Sequence, residues 1–427
     1  MTRARIVRAV AALALIACVA CATGPAARLA SSTPLGARTA IDELLARRAS
    51  AWLARDQSSF MATTARTAED FVVRQQQSFR WSEDVEFGSY ELRADWERYG
   101  DLVTATIRDR YPAADDVAVL SVEERYRLSG FDRKPAVEDL YYTFVNVRGK
   151  WLVANDTDVD TLTLYTARHP WDFDRLEADE RGNFLVLSHP CRKGALCGRV
   201  PAGAIELAAT ALEQVDDYWT VAWHRRVAVL VPRDADELER LLQVTFDVDN
   251  FVAFATSSVD PRGGIDYTGH RIVLNPQAFV DRPSESTFEI LTHELLHVAT
   301  RDASGPFIPV WVEEGFAEHV GTDADPQALG FLNARVSAGL TKGHLPDDYE
   351  FTIGGRTDIF LRYQGALSAV RFFINRWGLH RFVRFYRLLG RVEIAPGTAR
   401  WHIERALKKT IDVDLDEFER AWTGSLS

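Results

Sequence analysis

Cysteine and methionine are scarce, 4 and 2 of 427 residues, which excludes a disulfide-dense scaffold and an iron–sulfur protein. No apolar run reaches the roughly 20 residues that a membrane-spanning helix needs. Positive charge is in deficit, with 50 Lys+Arg against 61 Asp+Glu and a net charge of −11. That balance argues against a nucleic-acid binder working through bulk electrostatics. There is no long internal repeat, no Gly-rich phosphate loop and no nucleophile elbow, so those chemistries have no motif to rest on. What the chain does have is 47% hydrophobic residues and 11 Trp, which exclude a wholly disordered polypeptide. At roughly 100–200 residues per domain, its length suggests two or three domains.

The N-terminus carries Arg3, Arg5 and Arg8 with no acid, followed by the short apolar stretch Ala9 to Ala20. That order reads as a secretory leader. Leu15-Ile16-Ala17-Cys18 resembles a bacterial lipobox. The resemblance implies a signal peptide over residues 1–17, lipidation of Cys18, and an extracytoplasmic protein held to the cell membrane by its lipid anchor. Cleavage after Ala22, releasing a soluble secreted protein, is the alternative. Loss of residues 1–17 removes three arginines and moves the net charge from −11 to −14. The Ala-, Ser-, Thr-, Pro- and Gly-rich composition that follows suits a tether over residues 18–38.

From Thr39 to about Arg66 the apolar positions Ile41, Leu44, Leu45, Trp52 and Leu53 recur at helical spacing. Strand-like runs follow at Glu86–Leu92, Leu102–Ile107, Val117–Leu128, Val137–Val147 and Trp151–Ala154, separated by turn signals such as Gly149-Lys150. A helix followed by long antiparallel strands predicts an α+β domain over residues 39–165. This layout, with Arg148-Gly149-Lys150-Trp151-Leu152-Val153, resembles the nuclear-transport-factor-2-like cone. The resemblance implies an accessory module that holds a small ligand, docks a partner or serves as a spacer, and brings no catalytic residue. Residues 166–202 read as a linker containing Cys191 and Cys197. Outside the cytoplasm these two are expected to form a disulfide. A metal knuckle with His189 is the weaker reading, because no second Cys/His pair follows. The segment 203–427 starts with a helix at Gly203–Tyr218, a strand at Arg226–Val231, a helix at Asp234–Gln243 and a strand at Arg271–Leu274. Helical patterns then run to the C-terminus.

Residues 293–297 read His293-Glu294-Leu295-Leu296-His297. Pro283 ends what precedes, and Ser286 with Glu289 predicts a capping box for the helix. At 100° per residue the two histidines lie about 40° apart on one face, so both imidazoles can reach a single ion, with Glu294 beside them. Zinc takes a few neutral nitrogen or carboxylate ligands and leaves one position open for water. A carboxylate just outside the ligand set can accept that water's proton. Downstream, Pro309 suits a helix start, and Val312, Phe316 and Val320 share a face. Glu314 and Glu318 fall one turn apart on the opposite side.

Trp311-Val312-Glu313-Glu314-Gly315-Phe316-Ala317, after the His-Glu-x-x-His pattern, resembles the gluzincin metallopeptidases of the broad peptidase MA-like group. The resemblance covers at most residues 203 to about 390. Sixteen residues lie between His297 and Glu314, slightly fewer than in thermolysin or the aminopeptidase N type. It implies that His293, His297 and Glu314 hold one zinc ion, and that Glu294 takes the proton from the attacking water. It further implies that Glu318 orients a ligand histidine. Tyr363 is the candidate donor to the oxyanion, or else a half-buried helix aromatic; His319, His344 and Tyr349 are weaker candidates. Arg271-Ile272-Val273-Leu274-Asn275 resembles the family's peptide-binding edge strand. The metzincin pattern fails, because Thr300 and Ala303 stand where it needs Gly and His.

Seven arginines, Arg362, Arg371, Arg376, Arg381, Arg384, Arg387 and Arg391, interleave with phenylalanines near the C-terminus; such a stripe is ordinarily the wet side of packed helices. The expected fold is therefore α+β: a cone-like helix-plus-antiparallel-sheet domain, then a thermolysin-like metallopeptidase domain over 203–427 with a mostly helical C-terminal half. The expected function is a zinc-dependent peptidase acting on a peptide or protein, with the membrane as a second partner and no nucleic acid. The alternative is a catalytically inactive zinc-binding lipoprotein serving as a cell-envelope binding or assembly factor.

Overall fold

The structure, a computed structural model, describes residues 35–66, 68–98, 100–190, 203–244, 248, 251–260, 266–279, 283–305, 308–322, 330, 334, 344–353, 355–391 and 399–426. Cys18, Cys191 and Cys197, the leader and most of the tether lie outside these residues. The fold is mixed α+β, with an antiparallel sheet in its N-terminal part and a helical C-terminal half. Among the described residues, no helix is long and apolar enough to cross a membrane.

The N-terminal unit starts with α1 (Leu35–Leu53), α2 (Gln57–Met61) and α3 (Glu69–Trp81). The single helix expected up to Arg66 breaks at Arg55, which takes φ 56°, and Asp56 caps α2 by accepting from the Ser59 amide at 3.0 Å. Next come β1 (Phe87–Ala94), α4 (Ala105–Asp109), β2 (Asp116–Leu128), β3 (Ala136–Val147) and β4 (Lys150–Asn155). The four strands form an antiparallel sheet in sequence order. The strand expected over Leu102–Ile107 is not formed. Thr104 instead accepts from the Ile107 amide at 3.2 Å and starts α4, a local bond that competes with strand pairing. Trp52, Phe60, Phe79 and Tyr90 form an aromatic cluster that joins helices to sheet, with Trp52 stacked 5.3 Å from Tyr90. Inside this core the buried Glu124 carboxylate is shared between the Tyr90 hydroxyl and His169 Nε2.

The second sheet contains β5 (Glu177–Arg181) and β6 (Phe184–Ser188), which form within the stretch expected to be a linker. The chain continues through α5 (Ala204–Tyr218), β7 (Val227–Val231), α6 (Ala235–Leu242), β8 (Ala253–Asp260) and β9 (Asp266–Leu274). Strand order is β5-β6-β7-β9-β8, with β6–β7 and β7–β9 parallel and the rest antiparallel. This corrects the expected edge strand: β9 is paired on both sides, and the edge strands of this sheet are β5 and β8. Helices α7 (Pro276–Phe279), α8 (Ser284–Thr300), α9 (Val310–Gly321), α10 (Arg356–Trp377), α11 (Leu379–Gly390), α12 (Ala399–Ile411) and α13 (Leu415–Gly424) complete the described elements.

The two sheets meet along β2–β3 and β8–β9. Arg271 of β9 forms a two-pronged ion pair with Asp132, at 2.5 and 2.7 Å, and both side chains are nearly inaccessible at 6% and 3% exposure. Arg125 pairs with Asp260 at 2.6 Å, and Ser258 donates to the half-buried Glu138 at 2.6 Å. Gly269, at φ 58°, lies so close to β3 that a Cβ there would stand 2.4 Å from the Cβ of Ala136. Asp132→Ala should therefore cost about 3–5 kcal/mol in urea unfolding, because it strands a buried guanidinium. Adding Arg271→Met should recover most of that loss; a double variant no better than the single would refute the account.

Candidate metal centre

Helix α8 begins after Pro283, which has extended backbone angles and no side-chain cap. The capping box expected from Ser286 and Glu289 does not form, because Ser286 already lies inside the helix; Thr287 instead donates to the Pro283 carbonyl at 3.2 Å. From Leu291 to Thr300 every residue of α8 is buried. Helix α9 begins after Pro309, as expected, and is buried almost throughout. The Val312, Phe316 and Val320 stripe enters the core, and the opposite side carrying Glu314 and Glu318 is buried against α8 rather than solvated.

The structure brings His293, His297 and Glu314 together. His293 Nε2 lies 3.1 Å from His297 Nε2 and 3.3 Å from Glu314 Oε2, and His297 Nε2 lies 3.6 Å from the same oxygen. A tetrahedral zinc ion with bonds of about 2.0–2.1 Å keeps its ligand atoms about 3.3–3.4 Å apart. The three donors thus already stand at the spacing of one face of such a tetrahedron. Close helix packing makes this approach achievable. A Cβ at Gly315 would meet the Ala366 carbonyl of α10 at 2.5 Å, and one at Gly321 would meet the Glu289 carbonyl of α8 at 2.8 Å. Only glycine lets α9 lie against both neighbours at once.

Electrostatics follow from burial and pairing. Burial alone would lower His293, but the Glu314 hydrogen bond and the Glu318 charge raise it to about 9. His297 is pushed down to about 4, chiefly by burial. Burial would raise Glu314, yet the two imidazoles bring it to about 2. Glu318 Oε1 stands 3.5 Å from His293 Nδ1, and Thr322 donates to its other oxygen at 3.3 Å. This arrangement turns the Nε2 of His293 toward the other two donors.

Glu294 is 0% exposed, and neither carboxylate oxygen has a hydrogen-bond partner of good geometry. Burial raises it to about 8, an effect that His293 and the Ala255 backbone amide of β8 offset only in part. An unpartnered buried carboxylate is costly and marks a functional position. Tyr363 on α10 is 3% exposed, so it is not half-buried, and its hydroxyl donates to Glu314. The weaker candidates are engaged elsewhere. His319 accepts from Arg371 at 3.3 Å, His344 donates to the Leu345 carbonyl at 2.7 Å, and Tyr349 is 57% exposed.

Two contributors were not foreseen. Glu313 is buried, with Arg301 3.8 Å away and the Tyr386 hydroxyl donating at 3.3 Å, and so anchors the start of α9. Ala255 belongs to β8, for which the apolar run Phe251 to Ala255 ahead of Gly263-Gly264 was the available sequence signal. Glu318→Ala should lower zinc affinity about 10–100-fold in a chelator competition while the far-UV spectrum stays unchanged. Unaltered affinity would remove its orienting role.

No family model matches the chain, and no curated protein matches its sequence. Among solved structures, a mutant two-domain M1 zinc metallopeptidase with bound L-arginine is similar at 14% identity and a TM-score of 0.34. The likeness covers 73% of this chain and 61% of that one.

Proposed function

We propose that this chain is a zinc-dependent peptidase of the gluzincin type, acting outside the cytoplasm while held to the membrane by a lipid on Cys18. The anchoring part rests on the basic leader and the lipobox-like Leu15-Ile16-Ala17-Cys18 alone. The peptidase part rests chiefly on one observation: an unpartnered, fully buried Glu294 beside a triad whose donor atoms are spaced for one ion.

Two imidazoles and one carboxylate suit zinc, and the donor spacing fits it. Bound there, zinc would polarise a carbonyl and acidify a water molecule. The remaining work falls to side chains. Glu294 takes a proton from the attacking water at its carboxylate and passes it to the departing amine. Burial raises the proton affinity of that carboxylate and makes it a better base than an exposed one. Tyr363, whose hydroxyl already points at Glu314, donates to the oxyanion that develops on the carbonyl. The open edge of β8, with Ala255 next to Glu294, offers backbone groups for pairing with an extended peptide substrate.

Glu294→Gln should retain about one zinc per chain and lower kcat on a fluorogenic peptide library by about 10²–10⁴-fold. Unchanged hydrolysis would sink the assignment. Tyr363→Phe should lower kcat by about 10²–10³-fold with KM little altered; a change confined to KM would make it a binding residue. Should the wild-type chain carry zinc and cleave nothing across an unbiased library, the reading as a non-catalytic envelope binding or assembly factor takes its place.

A further inference from the structure

Away from the metal centre, a cavity of about 420 Å³ opens between the N-terminal unit and the helical half. Its walls are the β2–β3 turn, the α5–β7 connection, the start of β9, and the last turns of α8 and α11. Five cationic side chains and only two carboxylates line it, so its charge has to be traced partner by partner. Both carboxylates are already engaged, Asp132 by Arg271 and Asp302 by His270 at 3.3 Å. Lys134 is held by Asp266 and Arg226 by Glu180, each at 2.7 Å. Arg133, Arg387 and Arg391 remain, with no carboxylate at ion-pair distance among the described residues, although the Arg133 charge helps to lower the Asp302 carboxyl.

The lining carries other marks of a positive, partly desolvated site. His224 Nε2 and Arg226 Nε are buried without a hydrogen-bond partner. His224 is lowered first by burial and then by Arg133. An apolar part of the lining is formed by Phe131, with the Arg226 guanidinium stacked 4.1 Å above its ring, Trp219, Val298 and Ala299, beside the polar Tyr267, Thr268 and His270. The arginine stripe of the C-terminal half thus divides. Arg381 and Arg384 are exposed outside the cavity, while the half-buried Arg387 and the exposed Arg391 line it.

We propose that this cavity is a binding site for a small phosphate monoester with an apolar body. Three guanidiniums that hold no ion pair suit a doubly charged oxyanion, for which arginine is the best-matched side chain. The Phe131, Trp219 and Val298 surface accommodates the ester group. Bound there, the ligand joins the N-terminal unit to the C-terminal end of the metal helix, one residue beyond His297.

The test is calorimetric titration with phenyl phosphate, benzoate and inorganic phosphate, on the zinc-loaded chain and after chelation. Phenyl phosphate should bind saturably at one site and more tightly than the other two. Arg387→Ala and Arg133→Ala should each weaken it at least about tenfold, the loss expected for a charge-assisted bond. These arginines hold no ion pair, so their removal should leave the fold intact. Arg384→Ala, on the same helix but outside the cavity, should change the affinity less than about twofold. Non-saturable binding, an equal loss in Arg384→Ala, or binding that disappears on chelation would overturn the site. Benzoate or inorganic phosphate binding as tightly as phenyl phosphate would overturn the assigned ligand class.

Discussion

Glu314 meets His293 and His297 because helix α9 lies in backbone contact with α8 on one side and α10 on the other. The contact depends on two residues without side chains, Gly315 against the Ala366 carbonyl and Gly321 against the Glu289 carbonyl. A methyl group at either position would push the helices apart, and the donor triangle would open with them. The Trp-x-x-Glu-Gly phrase is therefore a packing statement as much as a chemical one. Its glutamate supplies the third donor of the group that could hold a metal, its glycine brings that donor within reach, and Trp311, 1% exposed, anchors the helix start in the core.

Assembling the site in a dry interior concentrates charge. His293, Glu294, His297, Arg301, Glu313, Glu314 and Glu318 are all buried. Most find a partner of opposite sign: Glu318 faces His293, Arg301 faces Glu313, and the imidazoles face Glu314. Glu294 stands apart, beside the triad with no hydrogen-bond partner of good geometry, and an interior that satisfies its neighbours retains this exception at a free-energy cost. The edge strand β8 adjoins the same carboxylate through the Ala255 backbone amide.

The N-terminal unit is structurally tied to this centre. Its β2–β3 turn and strands grip the β8–β9 hairpin through Asp132–Arg271, Arg125–Asp260 and Glu138–Ser258. Since β8 is also the strand nearest Glu294, the buried pairs at this seam help set where the open edge lies. The same seam encloses the cationic cavity, whose arginines come from both units.

The helical arrangement of the site could be read from the chain, because residues one turn apart share a face in any α-helix. His293 with His297, and Glu314 with Glu318, needed only that geometry and a proline before each helix. Hydrophobic periodicity and turn signals likewise separated an α+β N-terminal part from a helical C-terminal half. Local hydrogen bonds overrode the pattern in places: Thr104 turned an expected strand into α4, and Asp56 split the first helix. Long-range pairing was not legible, since strand order depends on partners distant in sequence. That is why β5 and β6 emerged from an apparent linker and β8, not β9, stands at an edge. The sequence by itself determined which side chains could form a metal site and on which helical faces they stand. Only tertiary packing decided that the faces meet at 3.1–3.6 Å, that Glu294 is left without a partner, that Tyr363 reaches Glu314, and that three distant arginines share one cavity. The physical reason is that periodicity fixes direction within an element, whereas distance between elements is set by the whole core.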